Sequence, residues 1–371
     1  MPPSVTILAP VPVPYREPLF RALAVRGRVA PRVVYLSGGQ AGWDQPADWF
    51  SSAEGYPSEV LHAWQRGRPG RSPVTFARGL ARALSASEPD CVVSWEFGPA
   101  TLRAVAWARK RRVPVVIFSE LTPWSGAGLS RLQRLTHRTL APRVAGFIVA
   151  SSQGVERLHG LGVDVDLIEV ALQSADLEPL GATRDAPPAT PPVRILAVGR
   201  LVPDKNLAGL VEAFARAGFE AGEAELELRG TGPLEGDLRA QAERLGVPAR
   251  FPGPVAAADL PGVYSSAHVL ALVSTYEPFG VTLREGAAAG LPLVSSRRAG
   301  ATGDVAVDGE NALVVDPGDI AEIAGALRRL VRESELRERL AAGSRAVTAR
   351  RPPEADAEAW ERAIARAVER R

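Results

Sequence analysis

The chain has 371 residues, more than one ordinary hydrophobic core supports, so its length predicts two domains of roughly 150 to 200 residues each. Its formal charge of +2 hides an asymmetry: residues 1–177 carry 20 basic and 14 acidic side chains and the remainder 24 and 28, so the first half suits an anionic or membrane-surface partner. A single cysteine excludes an internal disulfide, and the lack of a signal peptide or of a ~20-residue apolar run predicts a cytoplasmic protein, with peripheral contact at the inner face of the membrane left open.

Along residues 1–177, short apolar runs typical of β-strands alternate with amphipathic stretches typical of helices. The predicted strands are Val5–Ala9, Arg32–Leu36, Cys91–Trp95, Pro114–Phe118, Gly146–Ala150 and Leu167–Val170. The predicted helices are Pro18–Arg26, Val74–Leu84, Ala100–Lys110 and Leu129–Leu140. This alternation indicates right-handed crossovers and a mostly parallel sheet, which predicts an N-terminal Rossmann-like domain over residues 1–177.

The alternation stops over residues 178–192, where frequent prolines predict a linker. A second set then predicts a domain over residues 193–350. Its strands are Val193–Val198, Glu225–Leu228, Val269–Val273, Pro292–Ser295 and Ala312–Val315, and its helices are Asn206–Ala217, Leu234–Leu245, Val281–Ala289, 319–332 and 334–349, with a last helix at 354–370. The predicted fold class is α/β, with two doubly wound domains that face each other across a cleft.

Lys205 is one of only two lysines among the 44 basic residues of the chain. A composition that uses arginine almost everywhere else indicates that this lysine does something arginine does less well. Its compact ammonium group, close to the guanidinium group of Arg200, suits a diphosphate. Chance placement is the alternative.

Ligands of open parallel sheets bind at the carboxyl ends of the strands. Three loops of the second domain end a predicted strand there. Residues 199–206 supply two cations, Gly230 and Gly232 let a ligand approach the backbone, and residues 274–280 lead into a helix whose N-terminus favours an anion. Two cations and one helix end together predict a diphosphate site.

Glu277 and Glu285 flank this predicted anion site. Eight residues of helix rise ~12 Å, which exceeds the ~5 to ~9.5 Å between the paired carboxylates of glycosidases. The spacing therefore favours two separate acceptors of hydroxyl hydrogen bonds, one at each end of a long ligand. A ligand with a diphosphate in its middle and a sugar at both ends is a nucleotide-sugar.

Five segments resemble, in order and spacing, the retaining glycosyltransferases of family four: residues 199–206, 230–233, 251–255, 277–292 and 308–314. The resemblance covers roughly residues 190–335. It implies a GT-B fold in which the second domain holds most of the donor, and a C-terminal helix over residues 351–371 that crosses back to the first domain.

The resemblance also implies roles for individual residues. Arg200 and Lys205 neutralise the departing diphosphate, Glu285 accepts hydrogen bonds from the ribose, and Glu277 positions the transferred sugar. Surface salt bridges and a solvated helix face are the alternatives. The other donor-binding residues expected are Gly199, Gly230, Gly232, Pro254, Val255, Phe279, Gly280 and Val281.

The resemblance implies retention of the anomeric configuration, with attack from the leaving-group face and the diphosphate itself as base. Placed cations and helix amides can stabilise the leaving group without a metal ion. We therefore predict no metal and no cofactor. Asp164 and Asp166 form an Asp-x-Asp sequence remote from the donor motifs, which we interpret as a solvated turn.

The first domain departs from the family pattern in two loops. Where many members have paired glycines, this chain has Pro10–Pro18, and Tyr15 and Arg16 there are candidates to bind an anionic acceptor or the donor phosphates. A salt bridge of Arg16 with Glu17 or a neighbour is the alternative. Where many members have a histidine, this chain has Glu120, which we expect to bind acceptor hydroxyls or assist deprotonation, with Trp124 nearby. A structural carboxylate is the alternative for Glu120.

Arginines recur at near-helical spacing over residues 131–143. Such a basic amphipathic helix can rest on anionic lipid and admit a lipid-linked acceptor, and a solvated face is the alternative. No basic stripe interleaved with aromatic residues appears, so we do not expect nucleic acid as a partner.

The sequence therefore predicts a retaining, metal-independent glycosyltransferase that uses a UDP-sugar in preference to a GDP-sugar. The acceptor is a hydroxyl in polysaccharide, glycolipid or small-molecule glycoside synthesis. Two alternatives stay open, a disaccharide phosphorylase or synthase on the same fold and a non-catalytic regulator that binds nucleotide-sugars. The sequence names neither the sugar, the acceptor, the linkage nor the oligomeric state.

Overall fold

The computed structural model of the protein describes residues 1–39, 55–66, 74–182 and 191–370. The chain forms two compact units. The first unit contains Met1–Ala175 together with Pro353–Arg371, and the second contains Asp176–Pro352.

The first unit is built on a seven-stranded sheet in which all pairs are parallel and the order is β3-β2-β1-β6-β7-β8-β9. An antiparallel hairpin of β4 and β5 lies outside this sheet. The strands are β1 (Ser4–Ala9), β2 (Ala30–Tyr35), β3 (Ser58–Val60), β4 (Ala63–Arg66), β5 (Val74–Ala77), β6 (Cys91–Trp95), β7 (Val115–Ser119), β8 (Gly146–Val149) and β9 (Ile168–Val170). Strands β6, β7 and β8 are buried throughout, as expected for parallel strands covered on both faces.

Six helices accompany this sheet within the described residues. They are α1 (Glu17–Arg26), α2 (Leu80–Ser87), α3 (Pro99–Arg111), α4 (Arg131–Leu140), α5 (Ser152–His159) and, from the C-terminal segment, α13 (Pro353–Glu369). Helix α13 belongs to the core of the first unit. Trp360 is fully buried, and its ring centroid lies 5.4 Å from that of Phe118 and 6.0 Å from that of Trp95.

The second unit has a six-stranded parallel sheet in the order β12-β11-β10-β13-β14-β15. Its strands are β10 (Val193–Val198), β11 (Ala224–Arg229), β12 (Ala249–Gly253), β13 (Val269–Leu272), β14 (Leu293–Ser296) and β15 (Ala312–Val315). Its helices are α6 (Glu178–Ala182), α7 (Leu207–Ala217), α8 (Glu235–Arg244), α9 (Leu260–Ser265), α10 (Val281–Ala288), α11 (Ile320–Arg332) and α12 (Ser334–Arg350). A core that includes Leu210, Leu226 and Leu327 fills the space between the sheet and the helices α7 and α11.

Both sheets reverse their strand order next to the first strand of the unit. The chain moves outward from β10 to β11 and β12, and then returns to place β13 on the other side of β10. The same reversal occurs between β1 and β6 in the first unit. Crevices at the carboxyl ends of two such strands are where doubly wound sheets bind ligands.

The doubly wound α/β class predicted for both halves is confirmed, and three local predictions are wrong. The predicted helix over Val74–Leu84 begins as strand β5, because β-branched and aromatic residues there pair with β4, and Gly79 at φ 80° starts α2 only afterwards. Residues 178–182, predicted as linker, form α6 of the second unit. Strand β12 escaped prediction because Pro252 interrupts it, which an edge strand tolerates.

Candidate active site

A small pocket in the second unit lies at the carboxyl ends of β10 and β13, where the strand order reverses. The predicted donor residues Gly199, Arg200 and Lys205 line it on the β10 side. Leu272, Val273 and Ser274 line it on the β13 side. The pocket therefore occupies the position at which this sheet topology binds ligands.

Two predicted catalytic residues meet at this pocket. The Lys205 ammonium group donates a hydrogen bond to Oε2 of Glu277, and the two side chains are only 18% and 11% exposed. Ser274 Oγ lies 3.5 Å from the same oxygen. Within the described residues, Oε1 of Glu277 accepts no hydrogen bond. The carboxylate thus has one oxygen held by protein groups and one available to a ligand.

The loop after β10 is tied to the loop after β13, which fixes the position of Lys205. Lys205 ends a 3-10 helix, and Asn206 follows in the left-handed conformation at φ 53°. Asn206 Nδ2 donates to the carbonyl oxygens of Val273 (3.2 Å) and Pro317 (2.8 Å). The backbone nitrogen of Thr275 donates to the carbonyl of Asp204, at 2.9 Å.

The glycines of the loop after β11 have a packing role. A Cβ atom on Gly230 would lie 1.9 Å from the carbonyl oxygen of Gly199, and one on Gly232 would lie 2.4 Å from that of Leu201. The Leu201 nitrogen donates to Thr231 O at 2.8 Å. The loop after β10 therefore lies close to these glycines. Their contact with a donor stays a prediction.

Helix α10 begins at the predicted anion site. Gly280 precedes it at φ 97°, a conformation that favours glycine, and Val281 is its first residue. The Phe279 side chain is buried, and its carbonyl oxygen accepts from Ala301 N at 2.8 Å. The Phe279 ring therefore lies in the core, and a contact of its backbone with a ligand stays a prediction.

Glu285 lies within α10 and has a partner that the sequence did not reveal. The hydroxyl of Tyr264, a fully buried residue of α9, donates to Glu285 Oε2 at 2.6 Å. Burial raises the pKa of the Glu285 carboxyl group, and this hydrogen bond lowers it. Burial also raises the pKa of Tyr264, so its hydroxyl stays a donor. Tyr264 sits in an otherwise apolar helix and carries no motif that could have identified it.

Pro254 and Val255 follow β12 at the same edge of the sheet. The turn is made by Gly253 at φ 88°, whose carbonyl oxygen accepts from Gly230 N at 2.9 Å. Pro254 is exposed and Val255 is half-buried. Both thus stand beside the loop after β11, and a contact with the nucleotide base stays a prediction.

In the first unit, Arg16 and Glu120 come together at the carboxyl ends of β1 and β7. Arg16 Nη2 lies 3.4 Å from Glu120 Oε1, and the Trp95 indole nitrogen donates to the same oxygen at 3.4 Å. The buried guanidinium group lies over the rings of Trp95, at 4.6 Å, and Tyr15, at 5.3 Å. The alternative pairing of Arg16 with Glu17 does not form, because the Glu17 carboxylate accepts from Tyr35 and Tyr56. Trp124 lies exposed on a 3-10 helix over Pro123–Gly128.

Glu96 is a further polar residue at this place, and sequence reasoning missed it. It follows β6 directly, and its carboxylate accepts from Ser119 Oγ at 3.0 Å and from Glu120 N at 2.5 Å. Burial, followed by the charge of Glu120, raises the pKa of Glu96 to about 8. The available signal was its position, a carboxylate immediately after a predicted strand.

Two family models match the chain, one in each half. The model described as Glycosyl transferase 4-like domain matches residues 10–171, and the model described as Glycosyl transferases group 1 matches residues 183–347. The lipopolysaccharide core biosynthesis glycosyltransferase LpsE of Rhizobium meliloti is 30% identical over 285 residues, which cover 74% of this chain and 81% of that protein. The chain belongs to the family-four glycosyltransferases.

Other proteins are similar to this glycosyltransferase over different shares of its chain. The glycogen synthase of Mycobacterium tuberculosis is 29% identical over 254 residues, or 65% of this chain, and the match spans 60% of that synthase. The Anabaena protein HepE, solved in complex with UDP and glucose, has a TM-score of 0.76 at 19% identity and covers 100% of both chains. The glycosyltransferase therefore has the GT-B fold, and the resemblance found in its sequence is confirmed.

Proposed function

We propose that this glycosyltransferase is retaining, requires no metal ion and takes its sugar from a nucleotide-diphosphate donor, with UDP favoured over GDP. The observation that carries the proposal is the pairing of Lys205, which lines the pocket of the second unit, with Glu277, which lies in the loop that leads into α10. The HepE structures with UDP and with UDP-glucose support the choice of UDP.

The charges at the pocket suit a departing diphosphate. Transfer breaks the bond between the anomeric carbon and a diphosphate oxygen, so negative charge grows on the leaving group. Lys205 and Arg200 contribute cations, and the first-turn amides of α10 contribute the positive end of a helix dipole. Such preorganised positive groups stabilise the transition state, and in this proposal they take the place of a divalent cation.

Lys205 and Glu277 can act together on the donor. An ammonium group has three N–H donors, so Lys205 can keep its bond to Glu277 and donate another to a phosphate oxygen. Oε1 of Glu277 is then the acceptor for a hydroxyl of the transferred sugar. The pair would thus fix the sugar relative to the bond that breaks.

Retention follows from attack on the face from which the diphosphate leaves. The acceptor oxygen forms a bond to the anomeric carbon while the bond from that carbon to the diphosphate oxygen breaks. The acceptor proton passes to the diphosphate. No covalent intermediate on the protein is needed.

The first unit supplies the acceptor side of the proposal. Arg16 and Glu120 form a paired cation and carboxylate beside the rings of Tyr15 and Trp95. Such a set can hold a polyhydroxylated acceptor through hydrogen bonds and ring contacts. Trp124, four residues after Glu120 and exposed, is the expected further ring contact.

Helix α4 favours contact with an anionic membrane surface. A Ser130–Gln133 capping box starts the helix, and His137 and Leu140 bury its inner face. On its outer face, Leu132 is 73% and Leu135 is 61% exposed, alongside exposed arginines. Among the described residues, no helix is both long and apolar enough to span a bilayer. We therefore propose a cytoplasmic enzyme that reaches a lipid-linked acceptor by peripheral contact through α4.

The test of the donor assignment is a thermal-shift titration with UDP, GDP and their common sugar conjugates, with and without a chelator. We expect a rise in Tm with uridine nucleotides that grows with their concentration and is unaffected by the chelator. A rise with sugar 1-phosphates alone would identify a phosphorylase. Binding of UDP-sugars without any turnover against an acceptor panel would identify a regulator.

One variant separates the acceptor half of the proposal from the donor half. Glu120→Gln is expected to keep the rise in Tm with UDP and to lose transfer, because it alters the acceptor side alone. If Glu120→Gln lost the rise in Tm with UDP as fully as it lost transfer, the acceptor role of Glu120 would be refuted. The configuration of the product's anomeric centre, read by proton NMR, decides between retention and inversion.

A further inference from the structure

The backbone at Glu96 is in a conformation that side-chain-bearing residues avoid. Four non-glycine residues in the described part of the chain have positive φ, and three of them, Glu88, Arg112 and Asn206, follow the ends of helices. Glu96 is the exception, and it stands beside the candidate site of the first unit. Left-handed residues outside helix ends often mark functional sites.

The surrounding structure holds Glu96 in this conformation from both sides. Its backbone nitrogen donates to the carbonyl of Phe118 at 2.8 Å, so it extends the pairing of β6 with β7. Its carbonyl oxygen accepts from Thr101 Oγ1 at 2.5 Å. These two hydrogen bonds therefore fix the backbone of Glu96, and its left-handed conformation sets the direction of the side chain.

The Glu96 carboxylate holds the turn that carries Glu120. One oxygen accepts from Glu120 N, and the other accepts from Ser119 Oγ. Ser119 Oγ in turn accepts from Leu121 N at 3.2 Å. Three consecutive residues, from Ser119 at the end of β7 to Leu121, are thereby fixed through one buried side chain.

The Glu120 side chain is left with one oxygen for a ligand. Arg16 and Trp95 both donate to Oε1. Within the described residues, Oε2 of Glu120 accepts no hydrogen bond, and the side chain is 20% exposed. An acceptor hydroxyl is the group that suits this oxygen.

We infer that Glu96 is a positioning residue of the acceptor site: it fixes the Glu120 turn so that Oε2 of Glu120 remains available to an acceptor hydroxyl, and its charge is coupled to that of Glu120. The inference rests on the proposed role of Glu120 in binding the acceptor. It adds a residue that acts through another and does not itself touch the substrate.

The coupling has a direction that can be measured. The charged groups that act on Glu96 are Glu120, of like charge, and Arg16, of opposite charge. Burial and Glu120 raise the pKa of Glu96 to about 8, and Arg16 opposes them. Glu96 is thus mostly protonated at neutral pH, and its ionisation at higher pH places a second negative charge beside Glu120.

The test is a pH titration of the full-length protein labelled with ¹³C at the glutamate carboxyl carbon, followed by NMR. We expect one resonance with a midpoint near pH 8 that disappears in Glu96→Gln. In Glu120→Gln the same resonance should move to lower pH, because the neighbouring like charge is gone. Glu96→Gln keeps an acceptor for Glu120 N, and Glu120→Gln provides an independent answer if the first variant does not fold.

Glu88→Gln is the matched control, since Glu88 is an exposed glutamate that also has positive φ. It should leave every high-pH resonance in place. If Glu96→Gln removed no resonance with a midpoint near pH 8, or if the midpoint of the Glu96 resonance were unaffected by Glu120→Gln, the inference would be overturned. UDP binding by calorimetry and transfer by Glu120→Gln test the proposed function separately, so a carboxyl pair that titrates as expected in a protein that binds no UDP would refute only the donor assignment.

Discussion

Lys205 and Glu277 are 72 residues apart in the chain, and the ammonium group of one donates a hydrogen bond to the carboxylate of the other. The sheet order makes this possible, because β10 and β13 are neighbours although two further strands separate them in sequence. In the proposed function, the pair joins a cation for the diphosphate to a carboxylate for the sugar. The first prediction concerns this cation.

Lys205→Ala is expected to lower turnover of the nucleotide-sugar by about 100-fold, since it removes a charge that stabilises the leaving group. Steady-state kinetics of nucleotide release measure the loss. Lys110→Ala is the control, because Lys110 is the other lysine of the chain and lies exposed on α3. Lys205→Arg is not expected to restore activity, because a planar guanidinium group does not reproduce the contact of a compact ammonium group with Glu277. Activity of Lys205→Ala equal to that of Lys110→Ala would refute this role.

Tyr264→Phe is expected to shift the pH dependence of nucleotide binding to higher pH. The hydrogen bond from Tyr264 opposes the effect of burial on the pKa of Glu285, so its removal raises that pKa further. The carboxylate that accepts from the ribose is then lost at a higher pH as acid is added. Calorimetric titration with UDP between pH 5 and pH 8 provides the measurement.

Tyr56→Phe is the matched substitution for Tyr264→Phe, since Tyr56 is another buried tyrosine that donates to a glutamate. Both changes should cost about 1 kcal/mol in the free energy of unfolding. Only Tyr264→Phe should alter UDP binding. If UDP binding had the same pH profile in the two variants, the proposed hydrogen bond between Glu285 and the ribose would be refuted.

Gly230→Ala should destabilise the second unit by roughly 1 to 3 kcal/mol or more, because φ is 140° and the new Cβ would lie 1.9 Å from a backbone oxygen. Gly236→Ala, in helix α8 with open space around it, should instead be neutral or stabilising by up to about 1 kcal/mol. Urea unfolding of both variants compares the two. A neutral Gly230→Ala would show that the loops after β10 and β11 move apart readily.

Replacing both Leu132 and Leu135 by Gln should weaken binding to vesicles of anionic phosphatidylglycerol, because these side chains are the apolar part of the exposed α4 face. Co-sedimentation with phosphatidylglycerol and with neutral phosphatidylcholine vesicles measures it, and added salt should weaken the anionic component. Val25→Gln is the control, since Val25 is 85% exposed on α1 of the same unit. If the wild-type protein did not bind anionic vesicles, the proposed membrane contact would be refuted.

The sequence predicted the second unit more completely than the first, for physical reasons. The retained Lys205 and the helix start at Val281 are local signals, so their loops could be identified without a structure. The contact of Tyr264 with Glu285 depends on how α9 packs against α10, and nothing in the spacing of 21 residues encodes it. Packing between elements is what a linear pattern leaves undetermined.

In the first unit, the candidate site lies outside residues 190–335, the part of the chain over which the sequence motifs resemble the family. Arg16, Glu96 and Glu120 end three different strands or lie in the loops that follow them, and the strand order alone brings them together. The sequence favoured Glu120 as the acceptor residue, with a structural carboxylate as the alternative. The structure adds a second carboxylate, that of Glu96, which accepts from Glu120 N, and the acceptor role of Glu120 stays a prediction.

Helix α13 is the last part of the chain to be synthesised, and it belongs to the first unit. Trp360 packs against Phe20, Phe118 and Trp95, yet the ribosome makes it after the whole of the second unit. Until then, the nascent first unit lacks the side chain that covers these aromatic rings, and Trp95 is the ring on which Arg16 lies. The candidate acceptor residues are therefore translated early, but the packing around them is completed last, after α13 has left the ribosome and the whole of the second unit has been made.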